Sequence, residues 1–400
     1  MQNTLLSSPE LLLVRYGELA LKGGNRKFFE RTLARNIRSA AKQVSPVELE
    51  LHQGRIHVIP ERRPMEVARR LRDVFGIKTV SPAWGTENDP EAIVAMAGNL
   101  MEQVLPANPD KPVTFRVRSR RAEKRFPLDS GELDRYVAEK ILPGPERVKV
   151  QLKDPEIELG IEVREKRTWL FHERLAGPGG LPVGTLGRVL CLISGGIDSP
   201  VASWMAMKRG CSVGFITFHS YPFIGESAKK KVIDLVRLLG RYQAQSRILI
   251  APFTEVQTAI RDNAPEAYRT VLYRRMMQRI ASNLAHKYHY QALVTGDSMG
   301  QVASQTLENM TCIAAANTLP MLQPLIGFDK EEIIERAQRI GTFETSIKPE
   351  PDCCTVFQPR KPVIRGRLEE CLKAEADLDV EGLVQSAVDA AESLTLEPEG

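Results

Sequence analysis

The stretch Val189-Leu190-Cys191-Leu192-Ile193-Ser194-Gly195-Gly196-Ile197-Asp198-Ser199-Pro200 decides the fold of the C-terminal half. Its five apolar residues predict a buried strand, and Pro200 suits the first turn of a following helix. Between them, two glycines let backbone N–H groups approach an anion, to which a helix N-terminus adds partial positive charge. Ser194 and Ser199 supply hydroxyl donors. The stretch therefore predicts a phosphate-binding loop at the end of the first strand of a parallel sheet.

This loop differs from the P-loop, G-x-x-x-x-G-K-[ST], because no lysine follows its glycines. The difference argues against hydrolysis or transfer of a γ-phosphate in the P-loop manner. A Gly-Gly pair alone is typical of a tight strand–helix corner, but the complete pattern Ser-Gly-Gly-x-Asp-Ser is more specific. We expect the loop to hold the pyrophosphate part of ATP and the chain to activate a substrate by adenylation.

The sequence around the loop predicts a doubly wound parallel sheet. Residues 176–184 are dense in glycine and proline and indicate a linker. After them, short apolar strands alternate with helices. The predicted strands are 189–193, 212–218, 247–250 and 292–295, and the predicted helices begin at 200 or span 227–239 and 265–287. Beyond residue 367 we expect a tail that is helical to about residue 391 and then frays.

The N-terminal part predicts two smaller domains. Residues 11–84 have the order strand, helix, strand, strand, helix, strand, which is the ferredoxin-like plan. Residues 87–174 follow with a mixed α+β pattern. We therefore predict a multidomain α/β and α+β chain with domains at 1–75, 76–174 and 175–400.

A second polar segment, 295–306, follows the last predicted strand of the parallel sheet. Ligands of open α/β sheets lie at the carboxyl ends of strands. Gly296 would let a nucleotide approach closely, and Gln305 could bond a base or a ribose. Arg274, in the predicted helix 265–287, could reach a phosphate, although with Arg275 it could also form a solvated helix face.

The net charge is +5, and the basic excess lies in the N-terminal part. Residues 1–174 hold 31 Lys and Arg against 25 Asp and Glu, whereas the remainder holds 24 against 25. This distribution favours a polyanionic partner, although an ordinary surface would also account for it. The densest cluster runs from Phe115 to Phe126, whose aromatic rings could stack on exposed bases; a solvated strand edge is the alternative. The candidate cations are Arg116, Arg118, Arg120, Arg121, Lys124 and Arg125, with Lys22, Arg26 and Lys27 as a lesser cluster.

The six cysteines predict thiols rather than a metal site, because none is spaced as C-x-x-C and no histidine pair lies near them. Cys191, Cys211 and Cys312 have apolar neighbours and are expected in the core. Cys353 and Cys354 lie in a proline-rich segment that we expect to be exposed. An exposed thiol there would suit nucleophilic or sulfur-carrying chemistry.

The overall composition is typical of a soluble globular protein, with 42% hydrophobic and 26% charged residues. No apolar run of about 18 residues occurs, so we expect no membrane span. The N-terminus lacks the features of a secretory signal, and we therefore expect a cytoplasmic location.

Together these segments resemble the tRNA 4-thiouridine synthase family, which is also known for thiamine-thiazole biosynthesis. The matching segments span nearly the whole chain. They are RYGELALKGGNRKFFE (15–30), FRVRSRRAEKRFPLDSGEL (115–133), GGLPVGTLGRVLCLISGGIDSPVASWMAMKRG (179–210), TGDSMGQVASQTLENM (295–310) and PDCCTVF (351–357). The resemblance implies a ferredoxin-like domain, a THUMP RNA-binding domain and a PP-loop ATP pyrophosphatase domain.

The resemblance also implies a reaction, in which ATP with Mg²⁺ adenylates the C4 oxygen of uridine 8 of tRNA and a persulfide then supplies sulfur. Adenylation turns a poor oxygen leaving group into AMP, which a sulfur nucleophile can replace. Asp198 would be the acid of the loop, and Cys353 or Cys354 the sulfur acceptor. Beside the loop residues Ser194, Gly195, Gly196 and Ser199, the nucleotide-contacting positions carry over to Leu192, Ile193, Thr217, Phe218, Arg274, Gly296 and Gln305.

The resemblance leaves the sulfur donor and the oligomeric state open. Some members carry a C-terminal rhodanese domain, but only a short tail follows Pro362, so we expect sulfur from a cysteine desulfurase or a separate persulfide carrier. A homodimer would let a tRNA rest on one subunit while the other reacts.

Two other classes of protein compete with this interpretation. An amidating PP-loop ligase would have neither a basic N-terminal half nor a cysteine pair. A non-catalytic RNA-binding module would not need an intact loop at 194–199 together with Gly296 and Gln305.

Overall fold

The computed structural model describes residues 8–21, 23–52, 54–106, 111–142, 144, 147–351 and 353–397. The chain forms two compact units, one of residues 1–23 and 37–179 and the other of residues 24–36 and 180–400. Within the described ranges, no helix combines the length and the apolar character that crossing a membrane would require.

The first unit contains a nine-stranded sheet in the order β2-β3-β1-β4-β8-β7-β5-β6, with β9 beside β4. Its strands are β1 (Leu11–Tyr16), β2 (Val47–His52), β3 (Arg55–Pro60), β4 (Ile77–Thr86), β5 (Val113–Arg121), β6 (Val148–Val150), β7 (Ile157–Val163), β8 (Thr168–Phe171) and β9 (Leu175–Ala176). The helices along this part of the chain are α1 (Arg26–Ala41), α2 (Pro64–Leu71), α3 (Pro90–Val104) and α4 (Ser130–Ile141). Strands β1 to β4 with α1 and α2 follow the ferredoxin-like order, which confirms that prediction.

Strand β4 joins the two N-terminal patterns into one sheet. Its first part pairs with β1, whereas its last residues, Trp84 to Thr86, pair with β8. The boundary predicted at residues 75 and 76 therefore precedes a strand that both patterns share, and the domain limits stay a prediction.

Strands β5 and β7 present an apolar face to α3 and α4. Phe115 and Val117 of β5 and Leu159 and Ile161 of β7 are buried in one cluster with these helices. Each such buried side chain stabilises the fold by about 1.5–3 kcal/mol. Because side chains alternate along a strand, the residues between them lie on the opposite face of the sheet.

The second unit contains a six-stranded sheet in the order β14-β13-β10-β11-β12-β15. Its strands are β10 (Arg188–Leu192), β11 (Ser212–His219), β12 (Ser246–Pro252), β13 (Ala292–Val294), β14 (Met321–Leu322) and β15 (Glu392–Leu396). Its helices are α5 (Asp198–Lys208), α6 (Glu226–Gly240), α7 (Thr254–Asn263), α8 (Arg269–Lys287), α9 (Leu307–Ala314), α10 (Lys330–Arg339), α11 (Phe343–Ser346), α12 (Leu368–Glu375) and α13 (Val380–Asp389). Strands β10 to β14 are parallel and β15 is antiparallel to β12, so the doubly wound parallel sheet is confirmed.

The strand order reverses at β10, since the chain proceeds from β10 to β11 and β12 on one side and later to β13 and β14 on the other. The carboxyl ends of strands at such a reversal border a crevice that binds ligands. The loop after β10 and the segment after β13 both lie at this point.

Two secondary-structure predictions for the second unit are wrong. The end of the chain does not fray after residue 391, because residues 392–396 form β15 against the edge of β12. The predicted helix 265–287 begins instead at Arg269, after a short 3-10 helix at Glu266–Tyr268.

Candidate active site and cationic face

The loop at 194–199 is closed by its own serine hydroxyl groups. The Ser194 N–H donates to Ser199 Oγ at 3.0 Å, and Ser199 Oγ lies 3.4 Å from the Ser194 carbonyl oxygen. The Gly196 N–H donates to Ser194 Oγ at 3.3 Å. Helix α5 starts at Asp198, so Pro200 lies in its first turn as predicted. The loop thus directs a helix N-terminus and two glycines toward the crevice.

Two residues that the sequence did not single out hold the Asp198 carboxylate. The ammonium group of Lys330, the first residue of α10, lies 2.6 Å from Asp198 Oδ1, and Gln301 Nε2 donates to Oδ2 at 3.0 Å. Lys330 follows Asp329, which caps α10 in a capping box, so the start of the helix determines where this lysine lies. A capping signal was visible in the sequence, but its proximity to the loop was not.

A cavity of about 290 Å³, here called the arginine cavity, borders the loop and the end of β13. It brings together Leu192, Ile193, Ser194, Asp198, Ser199, Thr217, Phe218, Arg274, Gly296, Gln305 and Cys353. Residues without an assigned role also line it, namely Thr270, Met277, Gln278, Thr295, Asp297, Val302 and Ser304.

Arg274 and Arg275 bind different carboxylates. The alternative prediction, that both lie on a solvated face of the helix, is therefore wrong. Arg274 pairs with the buried Asp297 and donates to Ser304 Oγ at 3.1 Å. Arg275 is 1% exposed and forms a bidentate pair with Glu375 at 2.8 and 2.9 Å. Only Arg274 lines the arginine cavity.

Asp297 is a buried carboxylate that remains ionised. Burial by itself would raise its pKa, but the Arg274 charge and hydrogen bonds from Thr295, Arg274 and Gln305 outweigh burial and lower the pKa to about 2. Asp297 therefore carries a negative charge across the physiological pH range.

Gly296 is required by the close approach of the loop. A Cβ at this position would lie 2.6 Å from Ser199 N and 2.8 Å from the carbonyl carbon of Asp198. The backbone after β13 and the first turn of α5 could not pack this closely with any other residue. That a nucleotide also approaches Gly296 stays a prediction.

A second cavity of about 270 Å³, here called the lysine cavity, lies on the other side of the loop. Gly195 and Gly196 line it together with Lys229, Lys231 and Lys348. Lys231 is 7% exposed, and its ammonium group donates to the Lys348 carbonyl oxygen at 2.7 Å. A Cβ at Gly195 would lie 3.5 Å from Lys231 Nζ, so this cation lies directly beside the glycines.

Cys353 lines both cavities. The expectation that it is exposed is wrong, because only 9% of the residue is accessible and it packs in the core of the second unit. The Gln257 amide of α7 donates to its carbonyl oxygen at 2.8 Å. The side chain of Cys354 lies outside the described residues.

The cysteines predicted to be core residues are buried. Cys191, Cys211 and Cys312 are at most 8% exposed. Burial raises the pKa of Cys191 to about 12 and raises that of Cys211. Cys191 and Cys211 therefore remain protonated near neutral pH.

In the first unit, β5 carries Arg116, Arg118 and Arg120 on the face opposite the helices, whereas Arg121 lies on the same side as Phe115 and Val117. Arg118 and Arg120 are exposed, and Arg116 is half-buried in an ion pair with Glu158. Arg121 donates to the carbonyl oxygens of Phe126 and Leu128 at 3.1 and 3.3 Å. A solvated edge is therefore too simple a description, because one face of a central strand is cationic.

Arginines outside β5, not assigned from the sequence, extend this cationic face. Arg15 of β1, Arg55 of β3 and Arg164 pair with the buried Glu162 of β7, and Arg174 pairs with Glu158. Burial, followed by repulsion from neighbouring arginines, lowers the pKa of Arg15 to about 10 and of Arg55 to about 9. Burial is the larger cause, and the smaller contribution from Arg120 and Arg164 shows that several arginines lie close together on this face.

The remaining predicted cations differ in their surroundings. Lys124 is exposed, and Arg125 is 85% exposed beside Glu123. Arg26 pairs with Glu30 at 2.7 Å, Lys27 is exposed, and Lys22 lies outside the described residues.

The proposed stacking by the two flanking phenylalanines is wrong. Phe115 and Phe126 are buried among the residues that pack against α3 and α4. The aromatic rings on the cationic face are instead Phe171, 4.6 Å from the Arg15 guanidinium, and Trp169.

Within the described ranges, Glu50, His52 and His57 form a group whose atoms lie close enough to hold a metal ion. It includes no residue predicted as a ligand or catalyst. Burial, His52 and Arg164 lower the pKa of His57 to about 4, and the arginine charge would oppose a bound cation.

Profiles of three protein families match the chain in order. The ThiI ferredoxin-like domain matches residues 11–81, the THUMP domain residues 87–173, and the family described as thiamine biosynthesis protein (ThiI) residues 184–380.

Whole-chain relatives match over almost the full length of both partners. A probable tRNA sulfurtransferase of Brevibacillus brevis is 44% identical over 95% of this chain and 94% of its own. One of Moorella thermoacetica is 44% identical over 97% and 98%. A solved structure, described as a 4-thiouridine synthetase–RNA complex with bound ATP, is 36% identical, covers 97% of this chain and 99% of its own, and has a TM-score of 0.88.

Proposed function

The chain belongs to the ThiI family, and on that premise we propose that it is an ATP-dependent tRNA sulfurtransferase that converts uridine 8 of tRNA to 4-thiouridine. One observation carries the proposal: Cys353 lines both cavities that flank the loop at 194–199. A phosphate loop activates an oxygen, and a thiol beside it can deliver the sulfur that replaces that oxygen.

The residues around the loop suit ATP. The arginine cavity offers apolar walls, Arg274 and a buried amide to a nucleoside. Gly195 and Gly196 carry no side chains that would block a phosphate, and Lys231 and Lys330 lie beside the loop to offset the charge of a pyrophosphate. Asp198 supplies a carboxylate oxygen, the ligand type that Mg²⁺ prefers.

The reaction then consists of adenylation, sulfur transfer and release of the product. The uracil O4 attacks the α-phosphorus of ATP, N3 loses its proton, and pyrophosphate leaves along the loop. A cysteine desulfurase or a separate carrier protein places sulfur on Cys353 as a persulfide, whose terminal sulfur attacks C4 while AMP departs with the former O4. A second thiol cleaves the S–S bond to Cys353 and releases 4-thiouridine.

The cationic face of the first unit supports RNA as the substrate. Arg118 and Arg120 are exposed, and after burial the charge of Arg120 contributes to the lowered pKa values of Arg15 and Arg55. Phosphate groups would relieve that repulsion, and their contacts position an RNA without reading its sequence.

The test supplies the full chain with ATP, MgCl₂, cysteine, a cysteine desulfurase, dithiothreitol and unmodified tRNA, and measures 4-thiouridine by nucleoside mass spectrometry. We expect product with the wild-type chain and none with Asp198→Ala, which should still bind tRNA. Asp377→Ala, at an exposed carboxylate far along the chain from the loop, is the matched control. Absence of product from folded wild-type protein with active desulfurase would overturn the proposal.

A further inference from the structure

The Asp297 carboxylate collects four donors at the edge of the arginine cavity. Its Oδ1 accepts from Arg274 and from Gln305 Nε2 at 3.1 Å. Its Oδ2 accepts from Thr295 Oγ1 at 2.6 Å and from Gln323 Nε2 at 3.3 Å. A carboxylate with this many donors is held in a single orientation.

This arrangement determines which way the Gln305 amide faces. An ionised carboxylate only accepts hydrogen bonds, so the NH₂ group of Gln305 must lie toward Asp297. The amide oxygen Oε1 then lies on the other side. It is buried and has no hydrogen-bond partner among the described residues, although Gln305 is 7% exposed and lines the arginine cavity.

A buried acceptor without a partner is costly, and a bound ligand can supply the missing donor. Of the groups of ATP that can enter this cavity, the donors are the exocyclic amino group of adenine and the ribose hydroxyl groups. Phosphate oxygens only accept, so they do not complement Gln305 Oε1.

We infer that Asp297 is a positioning residue that fixes Gln305 as a hydrogen-bond acceptor for a donor of the bound nucleotide. The inference rests on the proposed use of ATP and adds that Gln305 accepts the hydrogen bond and the nucleotide donates it. Asp297 acts on the nucleotide through Gln305 and Arg274.

The wild-type chain alone distinguishes the two donors. Isothermal titration calorimetry compares ATP with purine riboside triphosphate, which lacks the amino group, with ITP, which places an acceptor there, and with 2′-deoxy-ATP and 3′-deoxy-ATP. The first two analogues change the base, and the last two each remove one ribose hydroxyl group. We expect the affinity for the analogues of one of these two groups to be about 5- to 150-fold lower than the affinity for ATP, as for the loss of one buried hydrogen bond. If ATP does not bind, the proposed nucleotide site is wrong. If all five bind alike, only the role of Gln305 is overturned.

Asp297→Asn tests the positioning role. The new amide can accept from or donate to Gln305, so either face of the Gln305 amide can turn to the cavity and the preference for ATP over the weak analogue should fall several-fold. Gln305→Leu should abolish the preference. Gln323→Leu removes a donor from the other oxygen of Asp297 and should retain it.

A merely structural role would weaken all nucleotides equally and leave these ratios unchanged. Unchanged ratios in folded Asp297→Asn would therefore overturn the inference. Asp297→Glu keeps a carboxylate and should restore part of the preference. If Asp297→Asn does not fold, the ratio of the affinities for ATP and the weak analogue is measured in Asp297→Glu and Gln305→Leu. A wild-type ratio in both variants contradicts the inference.

Discussion

At the scale of single residues, Cys353 combines burial with access to both cavities. Only 9% of the residue is exposed, yet it lines the wall on either side of the loop at 194–199. In the proposed mechanism, this burial would keep water away from a persulfide on Cys353. It also requires that sulfur be delivered through a cavity and not to an exposed thiol.

Cys353→Ser should therefore abolish sulfur transfer, with a decrease on the order of 10³-fold or more, as for the removal of a nucleophile. Pyrophosphate release from ATP in the presence of tRNA should continue, because adenylation precedes the sulfur step. Cys354→Ser is the matched comparison and should retain 4-thiouridine formation. If both variants stay active, sulfur reaches the uridine without either thiol, and if only Cys354→Ser is inactive, the assignment to Cys353 is wrong.

Most residues of the site could be predicted from the sequence, but the residues that contact them could not. The pattern Ser-Gly-Gly-x-Asp-Ser gave the loop because its glycines and hydroxyl groups follow one another along the chain. Lys330 and Gln301 reach Asp198 from segments more than 100 residues away, and no local pattern encodes that contact. Cys353 looked exposed because prolines surround it, whereas Gln257 of α7 and the core cover it.

At the scale of elements, the C-terminal helices complete the core of the second unit. Helix α12 is joined to α8 by Glu375, which binds Arg275 and Arg279 at 2.8–2.9 Å. Glu375 is 6% exposed and Arg275 1% exposed, so water cannot replace either partner. Removing one member of a buried pair leaves an uncompensated charge.

Glu375→Ala should lower the free energy of unfolding of the second unit by about 3–5 kcal/mol. The change is measured by urea unfolding, with hydrogen exchange of the α8 amides as the probe of the second unit. Glu370→Ala is the control on the same helix, since its pair with Lys373 is exposed and should contribute within about 1 kcal/mol. Equal effects of the two substitutions would contradict the stabilising role of the buried ion pair between Glu375 and Arg275.

The same pair predicts a pH dependence. Burial alone would raise the pKa of Glu375, but hydrogen bonds and charges from Arg279 and Arg275 lower it from 4.5 to about 2. A carboxylate with a lowered pKa stabilises the fold fully above its unfolded value, and this contribution is lost as the pH falls from about 4.5 toward 2. The difference between wild type and Glu375→Ala should therefore shrink across this range.

The parallel strands were predictable because each is a short apolar run between turn signals, buried on both faces. The elements that were missed or misjudged have other origins. Strand β15 alternates polar and apolar residues and forms only because β12 offers it an unpaired edge. Such pairing depends on a partner more than 100 residues distant, so local propensity could not reveal it.

At the scale of the whole molecule, the proposed function assigns RNA binding to the first unit and the chemistry to the second. The first holds a continuous sheet with helices on one face and arginines on the other. The second holds the loop, both cavities and Cys353. The charge distribution along the sequence predicted this division, but the cationic face itself requires β1, β3, β5 and β7 to be neighbours, which only the fold establishes.

The division predicts that RNA affinity can be lowered without changing nucleotide binding. Arg118→Ala with Arg120→Ala should reduce the slope of log K against log salt for tRNA by about 1 to 2, one for each lost phosphate contact, and raise the KM for tRNA. The Kd for ATP and the kcat at saturating tRNA should stay near wild type. Lys140→Ala, on α4 against the opposite face of the sheet and paired with Glu91, should leave the salt slope unchanged. An unchanged slope in the double variant, or an equal change in Lys140→Ala, would mean that this face does not carry the phosphate contacts, because a screened electrostatic contact must appear in the slope.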